Sequence, residues 1–449
     1  MRRSLIAAGL LACATSACRA VAQPGRALPA RTSAAAGPGL EAARARVRTT
    51  LDSLVTLPQL RNAQWGVLVV DAELGDTLYA LNSNRLLVPA SNQKIVTAAA
   101  ALAVLGPDFR FTTRLTSAAP IRDGTLEGDL VVFGTGDPSF CDQMRDGDAM
   151  APLRELADSL YALGILRIDG ALRRGTSPFT DSPIGFGWAW DDLGAAYAAT
   201  VGDLMFNDSY TQVRVLIEGA PDSSAVRRPE HAHFLDAFYA ALVARGITVR
   251  NGFDWNTTVA DSGLSTLVTY ASPTLQEILP HFQKDSQNQV GEILLKTMGR
   301  VAAGAGRADS GAAVVSRQLL SWGVDSTGFV IRDGSGLSRH NWLSPATIVR
   351  VLTVVRRDSA FATFTGALPV AGVDGTLERR MRGTLAAGNV RAKTGSMERI
   401  RALSGYVTTA GGRELAFAIL INGYTAPMRE VDAAFDLVAA QLAALPLAR

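Results

Sequence analysis

The sequence predicts an α+β fold in which strands from both ends of the chain form one antiparallel sheet that helices cover. Short apolar and β-branched runs bounded by turn residues lie near both termini, as expected for strands. The predicted strands span residues 65–71, 77–81, 391–396, 401–409 and 414–422. Because helices are predicted before the first strand and after the last, we expect helices to pack on a face of this sheet.

The predicted helices lie at residues 40–57, 95–105 and 428–445, and residues 275–360 look mostly helical. Gly106-Pro107 ends the second helix and Pro446 ends the last one, because proline cannot continue a helix. The second helix is apolar along its length and begins directly after a polar tetrad at residues 91–94. The polar residues of that tetrad are therefore expected at a helix start.

Residues 108–270 differ in sequence pattern from the rest of the chain. Short strand-like runs, such as 129–133 and 212–217, alternate with Gly, Pro and Asp turns, and one helix is predicted near 234–245. We interpret residues 40–107 and 271–449 as one domain, interrupted by a β-rich insertion at 108–270.

The first 39 residues predict export. Residues 1–22 resemble a signal peptide, with two arginines, an apolar run too short to span a bilayer and a small-residue cleavage site at Ala22. An alternative is a lipoprotein signal, with lipid attached at Cys13 or Cys18. Residues 23–39 then read as a flexible leader. We expect a periplasmic or otherwise exported protein that is attached to a membrane only if it is lipidated.

The composition fits a globular protein. The chain has 449 residues, of which 48% are hydrophobic and 19% charged, and its net charge is +3. These values argue against disorder, and without a dense basic run they argue against nucleic-acid binding. After cleavage at Ala22 only Cys141 would remain, so no disulfide within the chain is expected.

Two of the four lysines fall in short motifs that a serine acyl-transferase would need. The other 40 basic residues are arginines, which cannot lose a proton and act as a base. Ser91 and Lys94 lie three residues apart at a predicted helix start and therefore share one helix face. A buried lysine with a lowered pKa can activate the weakly nucleophilic serine hydroxyl.

Two further motifs follow in sequence. Ser-Gln-Asn at 286–288 lies in the helical region, and Lys-Thr-Gly at 393–395 lies on a predicted strand. Together with Ser-x-x-Lys at 91–94 they form the signature of penicillin-binding proteins and class A β-lactamases. One such motif alone is weak evidence, but all three in this order are specific.

The motifs predict the catalytic residues. Ser91 is the expected nucleophile and Lys94 its base. Ser286 can relay a proton to the leaving amine, and Asn288 can bind a substrate carbonyl while it holds Lys94. The backbone N–H groups of Ser91 and Ser396 are expected to form the oxyanion hole.

The third motif predicts the substrate-binding residues. Lys393 and Thr394 can hold a substrate carboxylate, and Gly395 would let the substrate backbone approach the strand. Ser396 belongs to the same group. Met397 and Arg339 either contact the donor peptide or support the loops around it. We expect no cofactor and no metal ion.

The chain resembles the D-alanyl-D-alanine carboxypeptidase/endopeptidase family, the class C low-molecular-mass penicillin-binding proteins. Besides the motifs, the resemblance is carried by residues 128–138, 333–339, 368–377, 392–397 and 402–407. It covers roughly residues 45–445. It implies a penicilloyl-serine transferase (β-lactamase-like) fold with an insertion, peptidoglycan peptides as substrates and β-lactams as covalent inhibitors.

Other functions stay open at this point. A class A β-lactamase needs a glutamate soon after its Ser-x-Asn motif to activate the deacylating water, and residues 293–377 contain none. An esterase would have no use for a carboxylate-binding lysine. A non-catalytic penicillin-sensing or wall-binding protein would not need intact motifs. D-Ala-D-Ala carboxypeptidase activity, with D,D-endopeptidase activity, is therefore the preferred function.

Several other residues are candidates for a functional role. Glu230 with His231 and His233 lacks a third histidine nearby, so no metal site is expected there. Cys141 has no histidine near it in sequence, which argues against a catalytic thiol. Asp137 is a weak candidate for binding a substrate amino group. Trp188 and Trp190 with Asp191-Asp192 could form a sugar platform, but buried aromatic packing is the preferred explanation. Lys284 and Lys296 are better explained by structural or peripheral roles.

Overall fold

The computed structural model describes residues 38–209 and 230–448. The predicted signal peptide, with Cys13 and Cys18, lies outside these residues, as do leader residues 23–37 and the predicted strand at 212–217. Helix α1 (Pro38–Val55) begins two residues before its predicted start. Residues 38–39 therefore belong to this helix rather than to the leader.

The other elements of the described residues follow the chain in this order. The helices are α2 (Gln93–Leu105), α3 (Ala151–Ala162), α4 (Glu230–Ala244), α5 (Leu275–Lys284), α6 (Asn288–Ala303), α7 (Ala308–Ser321), α8 (Pro345–Val355), α9 (Phe361–Ala367) and α10 (Met428–Ala443). The strands are β1 (Gln64–Asp71), β2 (Thr77–Leu81), β3 (Thr112–Ser117), β4 (Ile121–Arg122), β5 (Thr125–Leu126), β6 (Leu130–Phe133), β7 (Arg167–Ile168), β8 (Leu172–Gly175), β9 (Thr248–Val249), β10 (Phe253–Val259), β11 (Ser265–Ala271), β12 (Phe329–Val330), β13 (Trp342–Leu343), β14 (Arg391–Met397), β15 (Ile400–Thr408) and β16 (Glu414–Asn422).

The two ends of the chain form one five-stranded sheet in the order β14-β15-β16-β1-β2. All neighbouring strands are antiparallel, and β1 pairs with β16 from Gln64 opposite Asn422 to Asp71 opposite Leu415. The five predicted strands are confirmed with bounds that differ by at most one residue. The sheet therefore brings residues near 90 and near 395, about 300 positions apart in sequence, into one region.

Helices cover both faces of this sheet, whereas the sequence led us to expect cover on one. Leu403 and Phe417 pack in one core cluster with residues of α1 and α10. Their neighbours Ala402 and Ala416 pack in a second cluster with residues of α2 and α5–α8. Successive residues of a strand point to opposite faces, so a strand that is covered on both sides is buried at nearly every position.

The strands of residues 112–271 form two sheets of their own. Their orders are β10-β8-β6-β3-β11 and β4-β5-β7-β9, and α3 and α4 pack on them around a separate core cluster. Helix α3 was not predicted. We propose that the segment 108–270 is an inserted domain, as its own sheets and core cluster would support.

Within residues 38–209 and 230–448, no helix has the length and apolar character needed to cross a membrane.

A single side chain on the central sheet holds the loop that leads to Ser91. Asn422 ends β16, is 8% exposed and accepts a hydrogen bond from Val88 N at 2.8 Å. Its amide also donates to Val88 O at 3.1 Å. Both backbone groups of Val88 are thereby satisfied by one residue on the neighbouring strand.

We expect Asn422→Ala to lower the free energy of unfolding by about 1–3 kcal/mol, because two buried backbone groups lose their partner. Equilibrium denaturation by urea measures this change. Asn389→Ala is the control, because that amide is exposed and bonds to carbonyl groups that water can reach. Equal losses for the two variants would contradict the prediction.

Candidate active site

Ser91 lies where a short 3-10 turn (Ala90–Asn92) runs into α2. Ala90 is fully buried against Val88 and Ile400 and has a φ of 47°, a left-handed conformation that residues with a Cβ seldom adopt. Ser91 itself is partly exposed and lines a cavity. Packing around Ala90 thus fixes the backbone that presents the Ser91 hydroxyl to the cavity.

Lys94 lies one turn further along and is fully buried. Its Nζ is 2.9 Å from Ser91 Oγ, 2.6 Å from Asn288 Oδ1 and 2.7 Å from Ser335 O. All three partners are neutral. An unprotonated amine can donate two hydrogen bonds and accept one, so this environment can satisfy a neutral Lys94 that accepts from the Ser91 hydroxyl.

Burial lowers the pKa of Lys94 from 10.5 to about 7, because desolvation penalises the charged form. The negative charges of Asp333 and Glu292 act in the opposite direction and raise it. The balance leaves a lysine that changes protonation state near neutral pH. This is the range in which a general base is most effective.

Two buried carboxyl groups behind Lys94 were not predicted from the sequence. Asp333 accepts hydrogen bonds from Gly336 N, Ser338 N and the Trp188 indole at 2.6–3.1 Å. Glu292 accepts from Ser335 N at 2.9 Å, and burial with the nearby Asp333 charge raises its pKa to about 8. Together they shape the loop whose Ser335 carbonyl receives Lys94.

The sequence contains a signal for Glu292, one of these two carboxyl groups. Glu292 follows Asn288 by four residues on α6, so helical spacing places both on one face of that helix. Asp333 had no such signal, because its role comes from a loop that folds around one side chain.

The second motif lies beside Lys94. Ser286 lines the cavity and has a φ of 61° in the connection between α5 and α6. Asn288 accepts from Lys94, and its amide donates to Tyr197 O at 2.8 Å. Asn288 therefore joins Lys94 to the loop that carries Tyr197 at the cavity, a residue that was not predicted from the sequence.

The third motif is on β14, next to the turn of Ser91. Lys393 is fully buried, and its Nζ contacts only Thr394 O, at 3.3 Å, among the hydrogen bonds of the described residues. Burial lowers its pKa well below the ordinary value, and the charge of Lys94 lowers it further. Asn92 Nδ2 donates to Lys393 O at 2.9 Å, which fastens the strand to the Ser91 turn.

The residues after Lys393 divide between the cavity and the protein interior. Thr394, Ser396 and Met397 line the cavity. Gly395 does not, because the space beside it is occupied by the turn before Ser91. A Cβ at this position would lie 2.7 Å from Pro89 O. The glycine is thus required by packing within the protein, whereas we had expected it to make room for substrate.

The cavity has a volume of about 490 Å³. The motif residues that line it are Ser91, Ser286, Asn288, Thr394, Ser396 and Met397. Arg339, Tyr197, Thr376 and the carboxylates of Asp191, Asp192 and Glu398 complete its polar wall. This volume suits a peptide fragment of a few residues.

Other residues weighed in the sequence lie away from the cavity. Lys284 pairs with Asp374 and Lys296 pairs with Asp181, both at 2.6 Å, which is a structural use of both lysines. Asp137 is 2% exposed and accepts from Ser139 N in its own turn.

Two further outcomes concern Trp188 and Cys141. Trp188 is buried and bonds to Asp333, in line with packing, whereas the packing expected of Trp190 is wrong, because that side chain is 86% exposed. The neighbouring Asp191 and Asp192 line the cavity. Cys141 does have a histidine beside it in space, because His281 Nε2 lies 3.9 Å from its sulfur. Cys141 therefore lacks a nearby histidine in the sequence but not in the fold, since 140 residues separate the two side chains along the chain.

A family model described as D-Ala-D-Ala carboxypeptidase 3 (S13) matches residues 47–234 and 217–442. The D-alanyl-D-alanine carboxypeptidase of Actinomadura sp. (strain R39) is 35% identical over 449 residues, which cover 85% of this chain and 82% of that protein. The chain belongs to the S13 D-Ala-D-Ala carboxypeptidase family. The predicted family is thereby confirmed, and the chain is a serine peptidase.

Solved structures confirm the fold expected of this carboxypeptidase. Penicillin-binding protein 4 (DacB) from Haemophilus influenzae matches with a TM-score of 0.73 and 24% identity over 89% of this chain and 97% of that chain. The same protein complexed with a novel β-lactam matches with a TM-score of 0.66 and 24% identity over 89% and 98%. The predicted penicilloyl-serine transferase fold is therefore present.

In this carboxypeptidase we expect Gly395→Ala to lower the free energy of unfolding by about 1–3 kcal/mol, because the added methyl group meets a backbone carbonyl that cannot move freely. Urea denaturation gives the value. Gly194→Ala is the matched control, since a Cβ there meets nothing within 4 Å. If Gly395→Ala were as stable as the control, the close approach of β14 to the Ser91 turn would be disproved.

Proposed function

We propose that this carboxypeptidase cleaves D-alanyl-D-alanine ends of peptidoglycan stem peptides through an acyl-enzyme on Ser91. The observation that carries the proposal is the contact between Ser91 Oγ and a buried Lys94 amine whose other two partners are neutral. We also propose D,D-endopeptidase activity, since a D-configured cross-link presents the same acyl group to Ser91.

Acylation would proceed by transfer of the Ser91 proton to Lys94 as Oγ attacks the carbonyl of the penultimate D-alanine. Negative charge develops on the carbonyl oxygen, for which the N–H groups of Ser91 and Ser396 are the proposed donors. The bond to the terminal D-alanine then breaks. Its nitrogen takes a proton from Lys94, directly or through the Ser286 hydroxyl, and water later hydrolyses the ester on Ser91.

The terminal carboxylate of the substrate is the proposed ligand of the β14 side of the cavity. Thr394 and Ser396 offer hydroxyl groups there, and Arg339 is a cation on the cavity wall. Lys393 is buried behind them with a lowered pKa, so it would contribute a positive potential only when the substrate carboxylate favours its protonated form. In this proposal Thr394 and Ser396 contact the substrate carboxylate directly, and a protonated Lys393 attracts it electrostatically.

Acylation by β-lactams follows from the same chemistry, because the lactam carbonyl can occupy the position of the scissile peptide. We propose that β-lactams inhibit this enzyme covalently.

A β-lactamase is the second candidate, and it requires a carboxylate that activates the deacylating water. Glu292 is committed to the backbone of residues 334–335, but Asp191, Asp192 and Glu398 line the cavity. The lifetime of the β-lactam adduct separates the two candidates.

We also propose that the protein is exported, either to the periplasm or as a lipoprotein, which the sequence of residues 1–22 supports.

We expect benzylpenicillin to add its full mass to the wild-type protein and the adduct to persist for many minutes, as measured by intact-mass spectrometry over time. Ser91→Ala should give no adduct. Ser139→Ala is the control, because that buried serine lies away from the cavity. An adduct on Ser91→Ala would refute the nucleophile, and an adduct on the wild type that clears within seconds would establish a β-lactamase.

We expect the rate constant of acylation by benzylpenicillin to rise with pH to a plateau, with a midpoint near the Lys94 pKa of about 7. Only unprotonated Lys94 can accept the Ser91 proton, and its fraction grows as the pH exceeds the pKa. Stopped-flow or quenched mass measurements from pH 5.5 to 9 give the profile.

Glu292→Gln sharpens this test. The amide oxygen can keep the hydrogen bonds from Gly334 N and Ser335 N. Because the pKa of Glu292 is about 8, this residue is mostly protonated at the Lys94 midpoint near 7, and its replacement removes little negative charge there. We therefore expect the midpoint to stay within about half a unit of the wild-type value. Glu378→Gln, an exposed carboxylate, is the control. Loss of the pH dependence in Glu292→Gln would contradict the assignment of Lys94 as the titrating base, because Glu292 would then be the group that titrates.

A further inference from the structure

A buried cluster of three metal-ligand side chains lies outside the cavity around Ser91. Cys141, Asp208 and His281 are each at most 5% exposed, and one ligand atom of each lies within 4.8 Å of the others. His281 Nε2 is 3.9 Å from Cys141 Sγ and 3.3 Å from Asp208 Oδ2. Neighbouring ligands of a tetrahedral zinc ion with bonds of about 2.0–2.3 Å have similar separations.

The orientation of His281 is that of a metal-bound histidine. Its Nδ1 lies 3.0 Å from Asp285 Oδ2, so an Nδ1–H group can donate to that carboxylate. In the neutral imidazole, donation from Nδ1 leaves the lone pair of Nε2 directed toward Cys141 and Asp208, whereas without a metal ion a second proton on Nε2 can pair with Asp208. A carboxylate on the second ring nitrogen is the common outer partner of histidines that ligate zinc.

Asp208 supplies the independent observation. Its Oδ2 is buried and makes no hydrogen bond among the described residues, although His281 Nε2 is near. A nitrogen lone pair that faces an anionic oxygen and a sulfur needs a positive centre between them. A proton on Nε2 points along only one direction, whereas a metal ion can be bound by all three atoms.

We propose that Cys141, Asp208 and His281 bind a zinc ion, with Asp285 as the outer partner of His281. Sulfur and imidazole ligands select zinc over magnesium or calcium, which prefer oxygen alone. The three protein ligands leave a fourth position for water. This site was missed in the sequence because its members are separated by more than 60 residues.

The protein backbone holds these ligands together without the ion. Asn207 N donates to Phe140 O at 2.7 Å, and Asn207 Oδ1 accepts from Asp142 N at 3.2 Å. These bonds fasten the loop of Asp208 to the segment of Cys141. His281 then arrives from the last turn of α5, so the ligand set is preformed.

The proposed ion would also act on the active site. Asp285, which holds His281, directly precedes Ser286 on the cavity wall. Zinc would thus fix the end of α5 and, through it, the backbone of Ser286. It would also join the proposed insertion, which carries Cys141 and Asp208, to the catalytic residues.

The test uses the mature chain after removal of any histidine tag and of metal by a chelator. Zn²⁺ is titrated in competition with a chromophoric chelator, and Co²⁺ binding is followed by absorption spectroscopy. We expect one equivalent per chain and a thiolate-to-cobalt charge-transfer band in the near ultraviolet. Cys141→Ser should abolish the band and weaken Zn²⁺ binding by about 10-fold or more, and Asp285→Asn should weaken it by about 10–100-fold.

His231→Gln is the matched control, since His231 is a second buried histidine, outside the cluster, and it should leave affinity and spectrum unchanged. Equal Zn²⁺ affinity of the wild type and Cys141→Ser would overturn the proposal. So would a wild-type Co²⁺ spectrum that lacks the charge-transfer band, and that measurement needs no variant to fold. Either result would leave His281 and Asp208 as a buried ion pair.

Discussion

The burial of the Lys94 amine among neutral acceptors is the constraint on which the site depends. A lysine removed from water carries a large desolvation penalty when charged, so the surrounding structure must either neutralise the charge or favour its loss. Here no carboxylate among the described residues lies within ion-pair distance of Nζ, and two carbonyl oxygens and one hydroxyl surround it. Two elements supply the carbonyl oxygens that accept from Lys94: α6 carries Asn288, and the loop around Asp333 carries Ser335.

The antiparallel pairing of the two chain ends brings the motifs together. Pairing of β1 with β16 places the loop before Ser91 beside β14, and side-chain bonds to backbone then set the final spacing. Asn422 holds Val88 from one side, and Asn92 holds Lys393 from the other. Gly395 allows these parts to approach because it has no Cβ. The geometry around Ser91 therefore depends on the sheet as much as on α2.

The sequence predicted the parts of this protein that depend on local patterns. The terminal strands and α2 follow from alternation, apolar runs and Gly or Pro at the ends, and the three motifs follow from short spacings. Helix α3 carries buried residues at 153, 156, 157 and 160, a helical spacing that was overlooked among strand-like runs. The role of Asp333 depends on how its own loop folds, and the cluster of Cys141 with His281 depends on a contact between residues 140 positions apart. One sequence offers no pattern for either.

Electrostatic repulsion between the two buried lysines, Lys94 and Lys393, would favour loss of a proton from Lys94. In the proposed mechanism Lys94 becomes positively charged when it accepts the proton of Ser91, and a positive Lys94 lowers the pKa of Lys393. By the same interaction, a charge on Lys393 disfavours the protonated form of Lys94. Neither group has a carboxylate partner at ion-pair distance within the described residues, so the repulsion is relieved when the proton moves on from Lys94 or when Lys393 loses its own proton. The amine of the departing D-alanine is the proposed acceptor of the Lys94 proton, so a charged Lys393 would favour expulsion of that product.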